Sequence, residues 1–238
     1  MPPIRKGDGT PLVPKGISQV RTGDGRILFD GVAIPDSAVL QFDGTDDYVD
    51  FDRISISGEY TVTVWAWADS YSSNLQSMIG DDDRQVQFSV DEDDQYGYRF
   101  GDGDDFYREE VDLKPSGEWH HFAWTRNSDD KIDLSINAGD KTRIANNDPQ
   151  TGDLIYDTIG TADDQYWVGM LFDVRIFDSE LDTDDIEAVK DGDSGASDPL
   201  YHWPLNEGEG DTAEDIASGN DGTIVGAEWV EPDPRPRD

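Results

Sequence analysis

Tyr60-Thr-Val-Thr-Val-Trp-Ala-Trp-Ala68 is the stretch that decides the fold. Successive side chains of a strand face opposite sides, so Val62 and Val64 share one face while Thr61, Thr63, Trp65 and Trp67 share the other. Both faces carry large apolar groups, which predicts a sheet covered on both sides, as in a two-sheet sandwich. Working outward, residues 39–42, 85–90, 96–100, 119–125, 132–136 and 167–177 repeat the same aromatic and β-branched alternation. Asp/Gly/Ser/Asn loops separate them. One helix is expected over 183–190, with Asp182 as its cap, acids in its first turn, Lys190 in its last and Gly192 ending it.

Charge sets the next constraint. The 238 residues hold 54 Asp and Glu against 18 Lys and Arg, a formal net charge of −36. Nucleic acid and anionic lipid are poor partners for such a surface. Disorder is excluded by 7 Trp and 11% aromatics, far more than a solvated chain needs. An acidic coat of this density repels itself in dilute buffer and is relieved at molar salt, where the Debye length is about 3 Å. The composition resembles that of proteins from organisms that keep molar salt inside the cell. With no cysteine, disulfides, thiolate metal sites and thiol nucleophiles are impossible. No stretch approaches 18 apolar residues, and the opening residues lack an apolar core, so neither a membrane insertion nor a signal peptide is expected.

Residues 1–35 stand apart, with five basic and three acidic residues and five of the 12 prolines. A segment without the acidic coat that is too short to form a core reads as an extended β-arm for docking, with a plain disordered leader as the alternative. Its candidate assembly residues are Ile4, Arg5, Lys15, Ile17, Val20, Arg21, Ile27 and Phe29. The expected organisation is an arm over 1–37, a sandwich over 38–231 and a tail over 232–238.

Four stretches in order carry a family likeness: Leu40-Gln-Phe-Asp-Gly-Thr-Asp-Asp-Tyr-Val49, Tyr60 to Trp67, Glu118-Trp-His-His-Phe-Ala-Trp124 and Gly169-Met-Leu-Phe-Asp-Val-Arg-Ile-Phe177. Together with the helix they resemble the laminin-G-like, concanavalin A-like jelly roll. The implied fold class is all-β, a two-sheet antiparallel jelly-roll sandwich with one short helix. The stretches around Tyr201-His-Trp203, Asp215 to Ile224 and Ala227-Glu-Trp-Val230 look like that family's opening strands, yet they come last. The domain is therefore expected to be circularly permuted, its last strands completing the sheet beside 39–42; the alternative is that they complete a neighbouring subunit.

No catalytic constellation is present. A jelly-roll glycosidase needs a Glu-x-Asp-x-x-Glu strand to hold its two carboxylates about 5 Å apart, and Asp91-Glu-Asp-Asp94 lacks that spacing. His120 and His121 alternate on a strand and cannot converge on one ligand; His202 reads as packing. No enzyme is expected. By resemblance, a calcium site would draw on Asp43, Asp47, Asp173, Asp215 and Asn220, because calcium takes oxygens from Asp-Gly loops. Tyr71, Tyr96, Tyr98, Phe106, Tyr107 and Tyr166 lie in or beside Asp-rich loops, where stacking on a sugar would use them.

These features combine into an expectation: a non-enzymatic surface protein of a haloarchaeal virus particle, such as a capsid turret, spike or tail fibre. Its lectin-like head would adsorb to host glycans. It would be assembled in the host cytoplasm as a homotrimer or homopentamer and joined to other virion proteins through its arm. The alternatives are a carbohydrate-binding module of a halophile and a decoration protein without a ligand.

Overall fold

A computed structural model describes residues 20–21, 27–29, 32–34, 38–70, 76–81, 87–90, 95–99, 106–110, 116–144, 149–193 and 197–232. In the arm, β1 (Val20–Arg21), β2 (Ile27–Phe29) and β3 (Val32–Ile34) pair in sequence as an antiparallel meander. The body begins with β4 (Val39–Asp43), β5 (Tyr48–Ile56), β6 (Tyr60–Ala68), β7 (Gln76–Gly80), β8 (Gln87–Val90), β9 (Gln95–Arg99) and β10 (Phe106–Glu110). It continues with β11 (Trp119–Arg126), β12 (Ile132–Ile136), β13 (Thr142–Arg143), β14 (Leu154–Ile159), β15 (Val168–Phe177) and α1 (Thr183–Lys190). It closes with β16 (Tyr201–Trp203), β17 (Thr212–Ala213), β18 (Gly222–Val225) and β19 (Glu228–Val230).

The body strands form two antiparallel sheets of eight, ordered β10-β9-β8-β7-β14-β5-β18-β17 and β13-β12-β11-β6-β15-β4-β19, with β16 extending the second beside β15. This is the jelly-roll sandwich expected. The sheets meet through interior aromatics: Trp124 Nε1 on β11 donates to Tyr156 Oη on β14 at 3.1 Å, and Phe51 on β5 lies 4.5 Å from Trp203 on β16, centroid to centroid. Val62 and Val64 face this interior, opposite Trp124 and Phe122.

Every residue of β6 is buried, which explains its two apolar faces. On the outer face, Trp65 stacks on Phe172 at 5.8 Å, Trp119 meets Phe172 edge-on at 5.0 Å, and Trp67 lies 5.9 Å from Trp119. Helix α1 covers another part of that face, with Ile186 and Val189 packed on Ala123 and Phe177. Asp182 caps it as expected, its Oδ1 accepting from Asp185 N at 2.9 Å, which satisfies one of the helix's orphan donors. The chain reaches the helix over Thr61, whose hydroxyl donates to Ser179 O at 2.8 Å and accepts from Leu181 N at 2.9 Å.

The last strands are taken up by their own chain. Glu228, Trp229 and Val230 pair with Gln41, Leu40 and Val39; Thr223 to Val225 pair with Asp50 to Tyr48; and Tyr201 to Trp203 pair with Ile176 to Val174. Each sheet is thus completed by strands from the C-terminal end, in the permuted order. Among the described residues no helix is long and apolar enough to cross a membrane.

Candidate functional site

The five residues grouped by resemblance as calcium ligands divide into two places. Asp43 ends β4 and Asp47 precedes β5, so the Gly44 turn, at φ +81°, brings them together with Asp46; ligand-capable atoms of the three lie within 4.8 Å of one another. Asp43 Oδ1 accepts from Thr45 N and Asp47 Oδ2 from Asp43 N, both at 2.8 Å, which fixes the loop. Burial pushes the Asp47 carboxyl above its ordinary range against the Asp43 N–H bond, and Asp43, Asp46 and Glu228 push it the same way. A crowded set of carboxylate oxygens, one of them reluctant to ionise, is chemically suited to a hard cation.

Asp173 stands five residues beyond Val168, the partner of Asp43, and belongs to a different cluster. It sits at φ +55° in a bulge that adds one residue to β15 between Phe172 and Arg175. Both oxygens are engaged: Arg175 donates from Nε at 2.9 Å and from Nη2 at 3.1 Å, and His202 Nε2 lies 2.8 Å from Oδ1. Asp215 joins this cluster through the backbone, Oδ1 accepting from His202 N at 2.8 Å and from Ala217 N at 3.0 Å, while Oδ2 accepts from Ser218 Oγ at 2.5 Å and Asn220 N at 3.1 Å. The Asn220 amide donates to Asp52 O at 2.8 Å and clips the loop to β5. The Arg175 guanidinium, the His202 imidazole and the N–H groups of the loop thus satisfy both carboxylates from within the chain. His120 and His121 are buried, and His120 Nδ1 lies 3.2 Å from Asn137 Nδ2.

Of the aromatic candidates, Tyr71 lies outside the described residues. Tyr96 and Tyr98 stand on β9 and Phe106 and Tyr107 on β10, cross-paired Tyr107 to Tyr98 and Phe106 to Arg99, and their side chains lie outside the described residues. Ile4, Arg5, Lys15 and Ile17 of the arm also lie outside them. Val20 and Arg21 stand on β1 and Ile27 and Phe29 on β2, their side chains likewise outside.

Tyr166 is the candidate the structure places in a site. It borders a recess of about 230 Å³ lined by Tyr48, Asp50, Asp157, Thr158, Thr161 and Tyr166, beside the acidic turn. Tyr48 and Asp50 project from one face of β5, while the intervening Val49 is buried in the core. Thr158 lies opposite Asp50, and a shift in register between Thr158 and Tyr156 sets Asp157 beside Arg53, Oδ2 to Nε at 3.2 Å. The other wall is the loop from Gly160 to Trp167, tied down by Gly160 N to Met78 O at 2.9 Å, Trp167 N to Gly160 O at 2.8 Å and Ser77 N to Gln165 O at 3.0 Å. Burial raises the Tyr166 phenol above its ordinary value, with the charge of Asp164 adding to it, so it remains a neutral hydrogen-bonding group. The alternation Tyr48-x-Asp50 was visible in the sequence; the β5–β14 pairing that completes the site was not.

The fold and this recess define a sandwich of the lectin type with a polar, aromatic-edged hollow on one sheet. The chain belongs to the concanavalin A-like lectin/glucanases superfamily, whose Laminin_G_3 model matches residues 43–187. Its structure is similar to that of a candidate carbohydrate-binding protein from Bacteroides ovatus, with TM-score 0.66 and 15% identity over 87% of this chain and 68% of that one. It is also similar to a native heptameric SAP-like pentraxin from Limulus polyphemus, with TM-score 0.52 and 14% identity over 80% of this chain and 96% of that one. At these identities the likeness is one of fold. No curated protein matches the sequence significantly.

Proposed function

We propose that the chain is a non-enzymatic surface protein whose sandwich binds carbohydrate, and that residues 1–37 dock it into a larger particle. The observation that carries the binding half is the recess with its two tyrosines and the exposed Asp50 carboxylate on a lectin-type sandwich. Calcium at the Asp43, Asp46 and Asp47 turn is part of the same reading, supported by three carboxylates converging within 4.8 Å.

The particle we propose is a virion of a halophilic host, with this protein as turret, spike or fibre and host glycans as its target. The support is the contrast between a chain of net charge −36 and its residues 1–35, which hold five basic residues against three acidic ones. The body needs no arm strand to complete either sheet, so removal of the arm tests the docking role directly.

Two measurements decide the two halves. Light scattering in about 3 M KCl on the full chain and on one starting at Pro35 should give a discrete trimer or pentamer and a folded monomer, respectively; monomers in both cases defeat the docking role. A glycan array read at the same salt, with and without calcium, should give a selective set of bound glycans; a blank array in both conditions defeats the lectin role.

A further inference from the structure

We propose that the recess between Tyr48 and Tyr166 holds a single uncharged pyranose unit and rejects anionic sugars. This assignment rests on the lectin reading and gives it a location and a ligand class. Size comes first: about 230 Å³ is below the roughly 300–1,000 Å³ that encloses a drug-sized ligand, so the occupant is about one ring with its neighbours left in solvent.

Chemistry comes second. A sugar ring has an apolar C–H face, which an aromatic side chain covers, and an equator of hydroxyls, which carboxylates and hydroxyls engage. Tyr48 and Tyr166 supply the aromatic groups from two different elements. Asp50 is exposed and supplies acceptor oxygens. Thr161 lines the same hollow and is only 5% exposed, its buried hydroxyl without a protein partner. The loop that presents Thr161 and Tyr166 is held by backbone bonds at both ends, so little ordering is left for binding to accomplish.

Charge comes third and selects the class. Asp50 and Asp157 line the recess, and Asp46 and Asp164 lie close enough to act on the Tyr166 phenol. Arg53 beside it is bound to Asp81 at 3.0 Å as well as to Asp157, so its charge is already shared by two carboxylates. A uronate or sialate placed here meets like charge at contact distance, where molar salt screens poorly, and an uncharged ring meets no such repulsion.

The test uses the full chain, isotope-labelled, titrated by NMR in about 1 M and 3 M KCl with the methyl glycosides of glucose, mannose and galactose, with N-acetylglucosamine, and with glucuronate. At least one uncharged sugar should shift the Tyr48, Asp50, Thr161 and Tyr166 amides, with nearly the same affinity at both salts. Glucuronate should not shift them, with or without calcium. Tyr166→Ala should weaken the binding about tenfold, and Asp50→Asn, at an exposed strand position, should weaken it with the spectrum otherwise intact. Glucuronate binding as tightly as the uncharged sugar overturns the selection. Sugar binding that survives both substitutions overturns the location and leaves the lectin reading standing. Silence of all these sugars against a positive glycan array also overturns the location, whereas silence of both defeats the lectin reading itself.

Discussion

His202 and Asp173, 29 residues apart in the chain, meet at 2.8 Å between Nε2 and Oδ1. The contact ties β16 to the bulge of β15, and so ties the C-terminal strands to the centre of their sheet. Burial alone would raise the Asp173 carboxyl; the His202 hydrogen bond and the Arg175 charge outweigh it and hold the carboxyl well below the usual range.

Acid should therefore loosen this joint. A carboxyl whose pKa is depressed on folding stabilises the fold fully above its unfolded value of about 3.9, and that stabilisation is lost as pH falls through the folded value. Asp173→Asn strands Arg175 and His202 in the interior and should cost about 3 kcal/mol at pH 7. Urea unfolding in molar KCl from pH 7 to 2 should show that cost shrinking below about pH 4; a constant difference across the range contradicts the ion-pair assignment.

His121 should produce a separate acid response at higher pH. Buried against Trp65 at 5.2 Å, its imidazole is held neutral down to about 3, mainly by burial, which outweighs the opposing pull of Asp173. Above about 6.5 neither state is protonated and the residue contributes nothing. Below that, the unfolded chain takes up a proton that the folded chain refuses, so stability should fall by about 1.4 kcal/mol per pH unit towards pH 3. His121→Phe should flatten the unfolding free energy between pH 6 and 4; an unchanged slope would show that another group is responsible.

Asp47 should behave in the opposite sense. A carboxyl pushed up by folding costs stability at neutral pH and returns it as pH falls below the folded value. Without divalent ions Asp47→Asn, which keeps an acceptor for the Asp43 N–H, should raise the melting temperature by a few degrees or less, the scale of under about 1 kcal/mol. Millimolar calcium should raise the melting temperature of the parent and leave the variant unmoved. Equal responses in the two would detach calcium from this turn.

Salt should act on the whole surface. From 0.1 M to 3 M KCl the Debye length contracts from about 10 Å to below about 3 Å, and a body that belongs to a chain of net charge −36 should gain melting temperature steeply over the lower part of that range. Thermal unfolding followed by circular dichroism reads this directly; a flat profile defeats the high-salt reading.

The parts of the molecule that were legible are those written in neighbouring residues. The alternation in β6 gave its two covered faces, Asp182 and Gly192 gave the ends of α1, and the order of four short motifs gave the jelly roll. Contacts between distant residues were illegible. The acid cluster of Asp43 and Asp47 is local and was seen, but Asp173 was placed with it because no local signal announces a positive-φ bulge or an imidazole arriving from residue 202. Tyr48, Asp50 and Asp157 went unnoticed for the same reason: their site exists only once β14 lies beside β5 with its register shifted.

Val39, which opens the sandwich, is hydrogen-bond register partner to Val230, which nearly closes it. Chain enters and leaves the body at one spot on one sheet edge. Mechanical load applied between the two ends would part β19 from β4 one residue pair at a time, like a zip, at low force. Load applied through the arm alone, with the body gripped by a ligand, falls on β4, which is flanked by β15 as well as β19. The body is thus built to yield when pulled by its own two ends and to hold when pulled against something it has grasped.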